Sequence, residues 1–229
     1  TAIAGKWALC KFDISPDHVR ECGFDNYRMW PKIYKGKQTH RYWDPDRFED
    51  GTFHPRAKGV FGPDQECDYL INFMTEKKDQ PLLAYWPMTL IHGPLEDPPG
   101  FDAKEDPNKG ARFAANVKTI DRLVGRIVDA IDQLGLGNKT LILFTCDNGT
   151  AGGIKSRLGD RVIRGGKGQV NDAGTRVPLV ARWTDTIQPG AVSQDLIDFS
   201  DFLPTLAELS GSKVPTDRVI DGRSFAPKL

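Results

Sequence analysis

No apolar run in the 229 residues reaches the length of a membrane-spanning helix, and the opening "TAIAGKWALC" lacks the charged leader of a signal peptide. Charge of one sign is missing too. Thirty-one Lys and Arg stand against 31 Asp and Glu, which leaves no electrostatic footprint for nucleic acid or an anionic membrane. Cysteine is scarce: the four (Cys10, Cys22, Cys67, Cys146) form no C-x-x-C pair, which excludes a zinc ribbon or a thioredoxin-type motif. A disulfide between Cys10 and Cys22 is one arrangement, and free, buried thiols are the expected one. A phosphate-binding P-loop is also absent, because around Lys167 an arginine, Arg161, replaces the first glycine and Gly168 replaces the Ser or Thr. No repeat and no linker interrupts the chain. An apolar fraction of 39% beside 27% charged residues describes one globular domain spanning 1–229 with a well-buried core.

Helices and buried strands alternate along that domain. From Ala111 to Leu134 the apolar residues Phe113, Val117, Ile120, Val124, Ile127, Ile131 and Leu134 recur in steps of three and four, and Gly135 stops the helix. "TLILFTC" (140–146) is apolar on both faces, as in a strand covered by helices on either side. "TAIA", "LLAYW" (82–86) and "VPLVARW" (177–183) are further strand candidates. Pro63, Asp64 and Glu66 open a helix that Lys77 and Lys78 close, in keeping with the helix dipole. Ser200–Gly211 is a short capped helix. Asp50-Gly51 turns a hairpin in the aromatic region 24–56, and residues 96–110 have loop composition. This alternation implies an α/β sandwich, whose ligands sit beyond the carboxyl ends of the strands.

The strand 140–146 ends on Asp147-Asn148-Gly149. Asn-Gly is a hairpin signal, yet the sequence that follows is polar and glycine-rich and offers no partner strand. The alternative is that Asp147 and Asn148 present oxygens to Ca²⁺, or less fittingly to Mg²⁺. Lys6 and His92 also follow strand candidates, and Lys167 sits in the glycine-rich "RGGKGQ", where backbone can approach an anion. His18, His40 and His54 lie in polar stretches and are assigned to the surface. Two lysines, a histidine and a hard-metal pair suit a tetrahedral oxyanion such as sulfate or phosphate.

In their order along the chain, these segments resemble those of the formylglycine-dependent (type I) sulfatases of the alkaline phosphatase superfamily. "AGKWAL" resembles the family's G-K-W-H/Q-L, and "RYWDP" and "LLAYWPMTLIHGPL" resemble its middle segments. "LILFTCDNG" resembles its metal strand, "RGGKGQVNDAGTRVPLVARW" its lysine loop, and "DFSDFLPTLAELSG" with "IDGRSF" its closing stretch. The resemblance implies an alkaline-phosphatase-like sandwich, with a mostly parallel or mixed central sheet flanked by helices and incomplete at both ends. It implies Asp147 and Asn148 as Ca²⁺ ligands, Lys6 and Lys167 as catalytic residues that hold the sulfate, and His92 as the group that binds substrate and assists the departing alcohol. The substrate would be a small-molecule or glycan sulfate ester, and the location periplasmic or extracellular. Two parts of the family pattern are missing: a cysteine in C-x-P/A-x-R, the formylglycine precursor, and the paired acidic metal ligands. Both are expected upstream of Thr1, so the 229 residues alone are expected to be catalytically silent. Ala8 stands where many members carry histidine. The rival readings are a phosphodiesterase or phosphonate hydrolase of the same superfamily and a non-catalytic binder of sulfated glycans.

Overall fold

A computed structural model describes every residue except Glu105 and Pro107. The strands are β1 (Ala2–Lys6), β2 (Asn26–Trp30), β3 (Ile33–Tyr34), β4 (Lys37–Gln38), β5 (Arg47–Glu49), β6 (Thr52–His54), β7 (Ala84–Tyr85), β8 (Ile142–Thr145), β9 (Lys155–Leu158), β10 (Arg161–Arg164) and β11 (Leu179–Arg182). The α-helices are α1 (His18–Glu21), α2 (Gly62–Lys77), α3 (Lys109–Gln133), α4 (Asp172–Thr175) and α5 (Phe202–Ser210). Among the described residues no helix is long and apolar enough to cross a membrane. The chain divides into two compact units, one of Thr1–Leu136 with Asn148–Arg176, the other of Gly137–Asp147 with Val177–Leu229.

The first unit is built on a five-stranded sheet in the order β6-β5-β2-β1-β7. β1 pairs in parallel with β2 and β7, while β5 and β6 run antiparallel, so the sheet is mixed. β1 is an interior strand between β2 and β7, and Ala2, Ile3 and Ala4 are wholly buried. Ile3, Trp7, Phe12, Val19, Tyr27, Met29 and Phe48 form one core cluster. Helix α2 packs against β1, and α3 against α2. Buried area of this kind contributes about 25 cal/mol per Å², so these aromatic and β-branched side chains dominate the unit's stability. The Asp50-Gly51 hairpin is present: both residues have positive φ (46° and 92°) between β5 and β6, the backbone of a primed turn.

Several details differ from the sequence expectation. Region 24–56, for which the sequence marked only the Asp50-Gly51 hairpin, contributes five strands. Asn26–Trp30 does alternate, with Tyr27 and Met29 buried, but its terminal Trp30 is buried as well and breaks the pattern. The polar stretch after Asn148 holds its own antiparallel ribbon, β9 with β10, turning at Gly159-Asp160. All eight strand residues of that ribbon are exposed. It does not pair with β8, so Asn148-Gly149 makes no hairpin, as expected. On α3 the buried line runs through Asn116, Thr119, Leu123 and Ile131, and Val117 is exposed. The reason is Asn116, whose amide donates to Glu96 O at 3.1 Å and fixes the helix's rotation. Arg122 and Arg126 reach Asp64 at 2.8 and 3.2 Å, and Arg126 also pairs with Asp68. Within 96–110, Glu105 and Pro107 lie outside the described residues; up to the Asn108 cap of α3 the described ones form no helix or strand. The four cysteines are free, but only Cys67 is buried, and Cys22 is exposed. His18 is half-buried and packs edge-on to Trp7, with ring centroids 5.7 Å apart.

In the second unit β8 pairs antiparallel with β11, the two expected strands. β8 is half-buried along its whole length rather than fully enclosed. Thr145 Oγ1 donates to Pro178 O at 2.8 Å. Helix α5 is preceded by a capping box of Asp198 and Asp201 and ended by Gly211 at φ 70°.

Candidate active site

Lys6 leaves the carboxyl end of the interior strand β1. The residue before it, Gly5, has φ +123°, and a Cβ there would lie 2.2 Å from Pro87 O. Only glycine permits that approach, and it lets the Lys6 amide donate to Pro87 O at 2.7 Å. The carboxyl end of β1 is therefore tied to the segment that follows its neighbour β7, and that segment runs on to His92. Lys6 itself is half-buried, while the neighbouring Ala8 is exposed.

His92 sits on a rigid platform. Its amide donates to Tyr42 Oη at 2.9 Å. The Tyr42 hydroxyl lies 2.8 Å from His92 O and 2.9 Å from Thr89 O, one of which accepts its proton. Arg41 donates to His92 O at 2.7 Å and to Gly93 O at 2.8 Å, its guanidinium lying over the rings of Trp30 and Tyr42 at 5.0 and 4.6 Å. Beneath, Leu90 joins Tyr42, Phe61, Cys67 and Leu123 in a second core cluster. Burial raises the Tyr42 phenol above its usual range, so it stays a neutral hydrogen-bonding group. The imidazole is exposed, and its Nδ1 lies 2.7 Å from Gly93 O. A carbonyl accepts only, so Nδ1 carries a proton, and Nε2 is the ring nitrogen left to face a substrate oxygen.

Asn148 and Lys167 belong to a second cluster in the same unit. Gly149 N donates to Gly174 O at 2.8 Å, and Lys167 N donates to Thr150 O at 3.0 Å. The segment after Asn148 and the lysine loop are thus bonded backbone to backbone. The approach needs glycine: a Cβ on Gly149 would lie 2.1 Å from Ala173 O, and one on Gly174 2.0 Å from Gln169 O. Gly149→Ala should therefore destabilise the protein by about 1–3 kcal/mol, the usual range for overpacking. Urea unfolding midpoints unchanged from wild type would contradict the tight approach. The Lys167 side chain is exposed, and neither its ammonium nor that of Lys6 has an ion pair among the described residues.

Asp147, exposed, follows β8 in the second unit, and Asn148 opens the next segment in the first. Asn148 Nδ2 donates to Gly149 O at 3.0 Å, so its carbonyl oxygen is the side-chain atom that a cation could use. Hard oxygen donors fit Ca²⁺, but among the described residues no group of three or more His, Cys, Asp or Glu could hold a metal. The two oxygens fall short of the roughly six to eight that Ca²⁺ takes. The structure thus ties Lys6 to the segment leading to His92, and the Lys167 backbone to Thr150, two residues after Asn148. Sequence reasoning missed Arg41, Tyr42 and Glu66. "RYWDP" was the available signal for the first two, and Glu66 was misread as a helix-end charge.

Comparison with known proteins decides the family. The sulfatase family model matches residues 20–212. The chain belongs to the sulfatase family. A sulfatase of Formosa agariphila is 33% identical over 225 residues, covering 90% of this chain and 40% of that protein. Mouse steryl-sulfatase is 35% identical over 163 residues, covering 69% of this chain and 26% of the enzyme. The chain therefore spans under half the length of these sulfatases. The crystal structure of Ps i-CgsB superposes over 99% of this chain and 54% of its own, with a TM-score of 0.80 at 23% identity. The mixed sheet with flanking helices is thus the alkaline-phosphatase-like fold expected of a sulfatase.

Proposed function

We propose that the full-length protein is a sulfuric ester hydrolase, and that these 229 residues supply its anion-holding and leaving-group side. The observation that carries this reading is the Lys6–Pro87 tie, which joins a cation at the end of β1 to the segment bearing His92 with Nε2 open. Lys6 and Lys167 neutralise the charge of a sulfate group, worth most where water is excluded. In its imidazolium form His92 donates the Nε2 proton to the leaving oxygen and keeps Nδ1–H on Gly93 O. Asp147 and Asn148 contribute two oxygens to a Ca²⁺ ion that, when bound, polarises the sulfate. The nucleophile is a formylglycine; none of the four cysteines here stands in the C-x-P/A-x-R context of its precursor. We place the protein in the periplasm or outside the cell. A glycan sulfate ester is the favoured substrate, because two neighbours of the same fold were solved with k-i-k-neocarrahexaose and with D-glucosamine-2-N,6-O-disulfate.

The test is sulfate release from aryl and glycan sulfates by the full-length protein, before and after chelation. Turnover that is lost with a chelator and restored by Ca²⁺ is the expected result. No turnover on any sulfate ester, or hydrolysis of phosphate diesters alone, would overturn the reading.

A further inference from the structure

Among the described residues of the first unit, the most deeply placed carboxylate is Glu66, 6% exposed in the second turn of α2, beneath the segment that leads to His92. Its two oxygens take separate partners. Trp86 Nε1 donates to Oε2 at 2.9 Å and Thr89 Oγ1 donates to Oε1 at 3.1 Å. Both donors belong to the stretch after β7. From Thr89 the contacts continue upward: its carbonyl oxygen lies 2.9 Å from the Tyr42 hydroxyl, which accepts from the His92 amide at 2.9 Å. Every member between Glu66 and His92 is buried or half-buried, so no contact in the series competes with bulk water. A leucine here would fill the space but would leave the Trp86 and Thr89 donors without acceptors, at a cost in desolvation.

We propose that Glu66 is a positioning residue for His92, acting through Thr89 and Tyr42 to fix the height and angle of the imidazole over the reacting ester. This rests on the assignment of His92 as leaving-group acid. Glu66 touches neither substrate nor reacting atoms. Its two acceptor oxygens pin the segment at Trp86 and Thr89, and Tyr42 carries that constraint to the His92 backbone. Misplacing a catalytic group by about 1 Å costs on the order of 10²-fold in rate, so a loosened segment shows itself in kcat more than in KM.

The experiment is a double-mutant cycle in the full-length protein, with an alkyl or glycan sulfate as substrate. Glu66→Ala and, separately, Tyr42→Phe should each lower kcat by roughly tenfold or more, with KM within about twofold of wild type. In a His92→Ala background the same changes should have no further effect, because the group they position is gone. Glu66→Gln, which keeps one acceptor oxygen, should recover part of the loss. Tyr42→Phe alters a single hydroxyl and carries the test if Glu66→Ala does not fold. Wild-type kcat in Tyr42→Phe, or losses that multiply with that of His92→Ala, would overturn the inference. If His92→Ala alone left kcat unchanged, the assignment of His92 would be the part that fails.

Discussion

Replacing His92 with alanine in the full-length protein should lower kcat for an alkyl or glycan sulfate by roughly 10²–10⁴-fold, the span of general acid catalysis. A sugar or alkyl alkoxide is a poor leaving group, so S–O cleavage needs a proton on the departing oxygen as the bond breaks. With Nδ1 engaged by Gly93 O at 2.7 Å, only Nε2 is placed to supply it. The loss should shrink for a nitrophenyl sulfate, whose phenolate departs without help. That contrast separates chemistry from architecture, because a collapsed platform would injure both substrates alike. The substitution removes an exposed ring, while the His92 backbone keeps its bonds to Tyr42 and Arg41, so the melting temperature should hardly change. An equal loss on both substrates would assign His92 a structural role.

The second large effect is thermodynamic. Burial pushes the Glu66 carboxyl up from its ordinary 4.5 to about 7, even though Trp86, Thr89 and the nearby Arg28 favour the ionised form. Arg28, Arg41, Asp46 and Arg47 line, together with Glu66, a cavity of ≈ 20 Å³, so the charges around the carboxyl are mainly positive. Between pH 4.5 and 7 the folded chain keeps a proton that the unfolded chain has released. Stability contributed by that proton is complete below about pH 4.5 and lost as pH rises through 7, a change on the order of 3 kcal/mol. Glutamine does not titrate. Glu66→Gln should gain stability relative to wild type by about that amount between pH 4.5 and pH 8. Urea unfolding at several pH values checks this, and parallel curves for the two proteins would refute a protonated Glu66.

Features governed by local chemistry were legible in the sequence. The Asp50-Gly51 turn needs two positive φ values that Asp and Gly tolerate, and Gly211 ends α5 as a left-handed C-cap. The end of β8 at Asp147-Asn148 was legible too, because a run of apolar residues cannot continue into an acid and an amide without changing environment. Features that depend on distant partners were not. The periodicity of α3 marks an apolar stripe but not the rotation that Asn116 imposes by reaching Glu96 O. Glu66, next to Pro63 at a helix start, has the sequence of a solvent-facing dipole partner. Only the return of Trp86 and Thr89 from β7 shows that it is buried. Of the candidate site, the residue types were readable, whereas their support was not: Tyr42 and Arg41 lie about fifty residues before the histidine they hold.

The ribbon β9–β10 has a consequence for how the protein behaves in a crowd. Two strands paired only with each other leave both outer edges open, each a row of amides and carbonyls ready to zip onto a second copy. Leu158, Val162 and Ile163, 66%, 58% and 41% exposed, would make such a contact sticky. Lys155, Arg157, Arg161 and Arg164 stand against it. The register sets Lys155 opposite Arg164 and Arg161 opposite Leu158, so cations occur along both strands. A second ribbon approaching edge to edge would set the two cations of one strand against the two of another, at a distance where like charges repel. Repulsion between these cations would oppose pairing of the ribbon's edges with a second copy, and that opposition would weaken as salt rises and the charges are screened.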